Sequence, residues 1–446
     1  MIKHRNDLII YTKHFNHNSL MLNRTITPTI TQPVDFNLHL KPYQHYILDN
    51  GTNVYAVEAG EQEVLSLELV FNAGNWYEEK NIVAASTNFL LKNGTSTKTA
   101  FEINEHFDFY GAYLNRSCFT ETATITLHTL SKHLHHLTPL VTTLITDAVF
   151  PEKELAIYKQ NQKQKLEVNL KKCDFVANRL IDEYLFGFHH PYGRYTSTLD
   201  YDAVDIESLK SFYKKYYTNG NCKIFIAGKL PVGYEKMLND SFGKLPFNNT
   251  DLFQKEIHSA PATDKKYNLI NDTNGVQAAV RIARNFPNKH HPDFQKTLVL
   301  NNVFGGFFGS RLMSNIREDK GYTYGIHSYL QNHIHESAWM ISTECGRDVS
   351  TATIDEVYKE MKILHDTLID KDELYLVRNY MLGTLLGDLD GPFQIISRWK
   401  SYILNGFTAD YFNSAIKTIK TVSAEELQEL ARKYLNPDEF FELTVV

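Results

Sequence analysis

The sequence predicts an α+β fold in two homologous halves, each a mostly antiparallel sheet covered by helices. Three observations carry this expectation. At 446 residues the chain is too long for one ordinary hydrophobic core. A helix–turn–strand unit occurs twice, with starts about 218 residues apart at Val204 and Val422. Antiparallel strand signals are mixed with helical runs, which favours α+β layers over a doubly wound parallel sheet.

The repeat defines the expected domains. Residues 204–217 lead into the apolar run 222–228, and residues 422–435 lead into 440–446. Asp205 and Ser423 are the expected N-caps, and Ser423 with Glu426 has the spacing of a capping box, in which each side chain satisfies a backbone donor at the helix start. Asn219-Gly220 and Asn436-Pro437 supply the stops. Residues 1–32 read as an N-terminal extension, 33–245 as the first domain, 246–266 as a polar linker and 267–446 as the second domain.

Residues 43–58 alternate around Asn50-Gly51, a type I′ hairpin signal, and 64–73 form a second strand. Helices are expected over 82–91, 102–110, 131–148 and one long span, 152–186. In the second half, 275–285 is a strand, and 292–304, 310–318, 350–368 and 371–388 are helices.

Composition excludes several classes. Hydrophobic residues are 43% and charged residues 22%, as in ordinary globular domains. A net charge of -6 with no basic run gives no reason to expect nucleic acid. There is no apolar run long enough to span a membrane, and residues 1–18 lack the apolar core of a secretory signal. The four cysteines (Cys118, Cys173, Cys222, Cys345) have neither metal-like nor redox-like spacing, so a reducing, cytoplasmic location is expected.

The most informative stretch is Gly305-Gly306-Phe307-Phe308-Gly309-Ser310-Arg311, followed by Arg317 and Gly321-Tyr322-Thr323-Tyr324. It resembles the carboxy-terminal half of the insulinase/pitrilysin-like (M16) zinc peptidases, where an Arg and a Tyr seven positions apart grip the substrate near its scissile carbonyl. Arg317 and Tyr324 have that spacing. The His189-His190-Pro191-Tyr192-Gly193 run resembles a turn of the same family. The resemblance extends from about Pro33 to the end of the chain and implies the LuxS/processing-peptidase-like metallohydrolase fold, with four such halves forming a clamshell.

The family's His-x-x-Glu-His zinc motif is missing. Ala85, Asn88 and Phe89 stand where the first His, the Glu and the second His belong, and Glu167 falls where the resemblance puts the third ligand. Zinc needs imidazole, thiolate or carboxylate ligands and a general base; Ala and Phe offer no ligand atom, and an amide does not take up a proton near neutral pH. No metal is therefore expected in this chain. Among the other histidines, His133, His135 and His136 fall on an amphipathic helix, and His333 and His335 on one face of a strand, where they read as surface groups rather than ligands. His190, before Pro191, reads as a turn-fixing residue.

Two readings stand for the glycine-rich turn at Gly305, Gly306 and Gly309: a substrate-contacting loop, or close backbone approach of a helix to the sheet. It lacks the Lys-Ser/Thr ending of a P-loop. For Arg317 the alternatives are forked donation to a peptide carbonyl or carboxylate, and pairing with Glu318 or Asp319. The motif favours the first, with Arg311 in a supporting role. The resemblance then implies a non-catalytic substrate-binding subunit of a two-chain zinc endopeptidase. The partner would be an M16-like chain carrying His-x-x-Glu-His and the zinc, and a homodimer is the other possible assembly. The alternative is a catalytically dead, homo-oligomeric peptide-binding or scaffold protein.

Overall fold

The computed structural model describes residues 31–248 and 257–446. Nearly all of the expected N-terminal extension and the middle of the expected linker fall outside these residues.

The first sheet contains β1 (Gln44–Ile47), β2 (Asn53–Glu58), β3 (Val64–Phe71), β4 (Tyr113–Cys118), β5 (Ala123–Leu130) and β6 (Cys222–Gly228). Its order is β1-β2-β6-β3-β5-β4. The second contains β7 (Lys266–Leu269), β8 (Gln277–Phe286), β9 (Thr323–Asn332), β10 (Ser337–Gly346) and β11 (Phe441–Val445), in the order β7-β11-β8-β10-β9. From β2 and from β7 onward the two orders coincide, including one parallel pair in each (β2 with β6, β7 with β11). The repeated helix–strand units thus end in β6 and β11, which occupy equivalent places inside their sheets.

Helices cover the sheets. In the first part of the chain they are α1 (Val83–Leu90), α2 (Ala100–Phe109), α3 (Leu134–Thr146), α4 (Glu152–Asn169), α5 (Cys173–Phe186), α6 (Thr198–Ala203), α7 (Ile206–Tyr213) and α8 (Tyr234–Phe242). The second part adds α9 (Phe294–Phe304), α10 (Ser350–Asp366), α11 (Lys371–Gly387), α12 (Pro392–Leu404), α13 (Ala409–Thr421) and α14 (Ala424–Tyr434). A π-helical turn, Met313–Asp319, leads into β9. Asp205 and Ser423 are capping-box N-caps as the sequence predicts.

The halves exchange helices. α5 packs on β8 and β11 of the second sheet, while α12 packs on β2 and β6 of the first. Lys400 of α12 reaches Glu68 of β3 with both carboxylate oxygens at 2.8 Å. Trp399 donates its indole N–H to the Lys41 carbonyl. One apolar cluster accordingly contains Val57, Val70 and Phe225 together with Ile395, Ile396 and Trp399.

Three local expectations are corrected. The span 152–186 is two helices, broken at residues 170–172, because α5 leaves the first half to cover the second sheet. The hairpin at Asn50-Gly51 is not type I′: only Gly51 has positive φ, at 83°, and Gly51 N–H bonds to Leu48 O while Leu48 N–H bonds to Thr52 O. That pattern is a type I turn followed by a glycine bulge. His333 and His335 are not strand residues. β9 and β10 pair at Asn332 and Ser337, so the four residues between them form the turn.

Candidate functional site

The two half-sites lie in different sheets. On α1, Ala85 is exposed and Phe89 is 43% exposed, one helical turn apart on one face. Asn88 points inward at 2% exposure, and its amide donates to Thr124 O (3.3 Å) and to the Tyr217 hydroxyl (3.1 Å). Tyr217 is fully buried. The Phe89 ring packs on Tyr158 of α4 with centroids 4.9 Å apart, and Ser86 bonds to the Tyr158 hydroxyl. Glu167 is exposed in the last turn of α4, nine residues or about 13 Å of helix beyond Tyr158. Among the described residues no group of three His, Cys, Asp or Glu is placed to hold a metal ion. These residues do not fit zinc: two positions are hydrocarbon, the third is consumed by packing, and Glu167 has no ligand partners.

The start of α1 is anchored unusually. Ile82 adopts a left-handed backbone (φ 64°), a costly conformation for a β-branched residue. It persists because the Glu78 carboxylate accepts from the N–H groups of Ile82 (3.1 Å) and Ala84 (2.9 Å) and from Arg194 (2.8 Å). Burial pushes the Glu78 carboxyl up to about 7, against the pull of these donors.

In the second half, the glycine-rich turn links α9 to the π-turn. A Cβ on Gly305 would stand 2.7 Å from Ser328 Cβ and 2.8 Å from Leu312 Cδ1, and one on Gly306 would stand 2.8 Å from Asn302 Cα. At Gly309 it would meet the Phe307 ring at 2.8 Å. Gly305 O accepts from Ser328 N–H at 2.8 Å, and Asn301 bonds to both the backbone and hydroxyl oxygens of Ser328. The turn is thereby stitched to β9, so close backbone approach accounts for these glycines. Arg311 grips Glu373 through two 2.8 Å bonds, consistent with a supporting role.

The stitched turn delivers Arg317 and Tyr324. Arg317 Nε donates to Tyr324 O at 3.0 Å, tying the π-turn to the start of β9. Its guanidinium lies over the Phe308 ring, 4.6 Å from the centroid, and only loosely beside Glu318 at 3.7 Å. The Tyr324 side chain is 98% exposed at the rim of a hollow of about 600 Å³ lined by Arg317, Tyr322, Thr323 and Glu344. Tyr324 is therefore not a core strand residue, and Arg317 is not spent on a close ion pair. Sequence reasoning gave no role to Phe308 or Glu344. An aromatic inside a glycine-rich run was the available signal for Phe308, which the structure leaves 61% exposed; Glu344 had none.

Of the other histidines, His135 and His136 are exposed, with ring centroids 3.7 Å apart and His136 stacked on Tyr110, whereas His190, His333 and His335 are packed. His190 Nδ1 accepts from Tyr192 N–H at 3.1 Å, fixing its turn. His333 stacks on Tyr192 and His335 on Trp76, and burial lowers the pKa of both imidazoles.

Residues 203–381 match the family model of the peptidase M16 inactive domain. That stretch of the chain is M16-like. The chain is 24% identical to the uncharacterized zinc protease YmxG of Bacillus subtilis, over 89% of this chain and 96% of that one. It is 22% identical to the non-peptidase homolog YmxG of Helicobacter pylori, over 82% and 85%. Among solved structures, the M16 inactive domain from Pseudomonas fluorescens superposes with a TM-score of 0.80 at 22% identity, covering 90% of this chain and 98% of that one. A protease from Helicobacter pylori superposes at 0.81 and 15%, covering 91% and 99%. The M16-like fold is shared along nearly the whole chain.

Proposed function

We propose that this chain is the non-catalytic, substrate-binding subunit of a two-chain zinc metalloendopeptidase acting on peptides. The observation that carries the proposal is the free phenol of Tyr324 beside Arg317, in a chain whose α1 has lost every metal-binding group. The Tyr324 hydroxyl donates to a peptide carbonyl, or to the negative charge that develops on it during hydrolysis. The outer nitrogens of Arg317 donate alongside it, while Nε holds β9 in place. Zinc and the general base would come from the partner's His-x-x-Glu-His. The proposal also sets the protein in the cytoplasm, where its cysteines stay reduced.

The test is to express the chain alone and with an M16-like chain carrying His-x-x-Glu-His, and to assay a quenched, unstructured peptide. Hydrolysis only in the mixture, lost on Arg317→Ala or Tyr324→Phe, is the expected result. No complex and no hydrolysis would favour a dead, self-associating peptide-binding or scaffold protein, a reading that the name of the Helicobacter pylori relative supports.

A further inference from the structure

The face of α1 that lacks metal ligands is not electrically empty. Arg116 of β4 crosses to it and donates to the Phe89 carbonyl. Its guanidinium lies 5.2 Å from the Phe89 ring centroid. Its Nε is buried with no acceptor. Burial holds Arg116 down to about 10, and the titratable groups that oppose this are the phenols of Tyr113 and Tyr217. Lys92, two residues past α1, is also half-buried, and its pKa is lowered by burial and then by Arg116 itself; Asp108 is the one carboxylate that opposes this. Two cations thus share a partly desolvated face with neither in an ion pair among the described residues. An unpaired charge there is costly, and an external anion relieves the cost. The face is also reachable, since β4 is the outer strand of its sheet and Ala85 and Phe89 on α1 are exposed.

We infer that Arg116 and Lys92 form a carboxylate-binding subsite on the α1–β4 face, taking a carboxylate of the bound peptide where the resemblance would put a metal ion. The inference rests on the reading of the chain as a peptide binder and adds a preference for acidic ligands. The guanidinium, supported by the Phe89 ring, supplies charge-assisted N–H donors, and Lys92 adds a second positive charge. The carboxylate is either the free C-terminus or an acidic side chain.

The experiment measures binding of three fluorescent peptides of one unstructured sequence to the full chain: free acid, C-terminal amide, and the amide with one internal Glu. The expected result is about tenfold tighter binding of at least one carboxylate-bearing peptide than of the plain amide, weakening with salt. Which of the two binds tighter identifies the source. Arg116→Gln should abolish the discrimination, Arg116→Lys should restore part of it, and Lys92→Gln, at a less constrained position, should reduce it. Equal binding of all three peptides by the wild-type chain overturns the subsite, as does discrimination that survives both Arg116→Gln and Lys92→Gln. Arg317→Ala and Tyr324→Phe separate the two readings. Uniform loss of affinity with discrimination retained supports both. Unchanged affinity with discrimination retained supports the subsite and removes the Arg317–Tyr324 grip.

Discussion

On α1, the three positions that would carry a metal and its base hold Ala85, Asn88 and Phe89, and two of them now work as packing: Asn88 ties β5 to the buried Tyr217, and Phe89 covers Tyr158 and Arg116. At the start of β9, Arg317 and Tyr324 do the reverse. The backbone around them is fixed by the glycine turn and by Arg317 Nε, while the phenol is left in solvent. A polar group that is positioned but unsatisfied is held for a ligand; one satisfied inside the fold is not. The difference teaches that Asn88 has been absorbed into the core while Tyr324 is kept free, and substitutions should separate the two by what they do to folding.

The largest effect on folding is expected at Asn88. Asn88→Ala removes the donor to two buried oxygens and leaves a void against Tyr217, costing about 3–5 kcal/mol in urea unfolding. Ala85→His, three residues earlier but exposed, should stay within about 0.5 kcal/mol. Equal costs would mean that the Asn88 bonds to Thr124 and Tyr217 do not hold α1 in place.

The next effect is a pH dependence at the root of α1. Glu78 has a carboxyl pushed from 4.5 to about 7, mainly by burial. The folded state therefore binds the proton more tightly than the unfolded chain. The stability this contributes is complete below about pH 4.5 and is lost as pH rises to about 7. Its size is on the order of 3 kcal/mol, since each tenfold gain in proton affinity is worth about 1.4 kcal/mol and the rise from 4.5 to about 7 already includes the Arg194 contact. Glu78→Gln should flatten the unfolding free energy across that window. A wild-type stability that instead rises from pH 4.5 to 7, with Glu78→Gln abolishing the rise, would show that Arg194 and the two N–H donors outweigh burial.

Gly305 lies on the other side of the comparison. A methyl there would meet Ser328 and Leu312 below 3 Å, so Gly305→Ala should cost about 1–3 kcal/mol. It should also weaken peptide binding, because the displaced β9 carries Tyr324. Lost binding with unchanged stability would make the turn a direct ligand contact, the other reading of these glycines.

How far the sequence exposed this arrangement differs between its parts. The paired helix–strand units were legible because capping at Asp205 and Ser423 is local chemistry; the equivalent inner places of β6 and β11 in their sheets are seen only in the structure. The break at residues 170–172 was not, since Leu170-Lys171-Lys172 contains no helix breaker; tertiary packing of α5 on the opposite sheet imposes it. The Arg317–Tyr324 pair was picked out because its spacing resembles that of the M16 motif. The environment of the lost metal face was not: Arg116 comes from a strand 27 residues after Phe89, and nothing local in β4 marks it. His333 and His335 were misplaced because alternation continues past Asn332 in the sequence, whereas the ladder ends there.

The smallest effect on folding is expected at Tyr324, and it is the sharpest test of the contrast. At 98% exposure, with Arg317 bonded to its backbone oxygen rather than to its ring, the phenol contributes almost nothing to the fold. Tyr324→Phe should leave the melting temperature unchanged, with a stability change within about 0.5 kcal/mol. Partner-dependent peptide hydrolysis should nevertheless fall by about 10²–10³, the scale of losing one oxyanion donor, with most of the loss in kcat. A loss confined to KM would assign the hydroxyl to ground-state binding alone. No loss in either would place Tyr324 with the packed residues of α1, as a remnant rather than a grip.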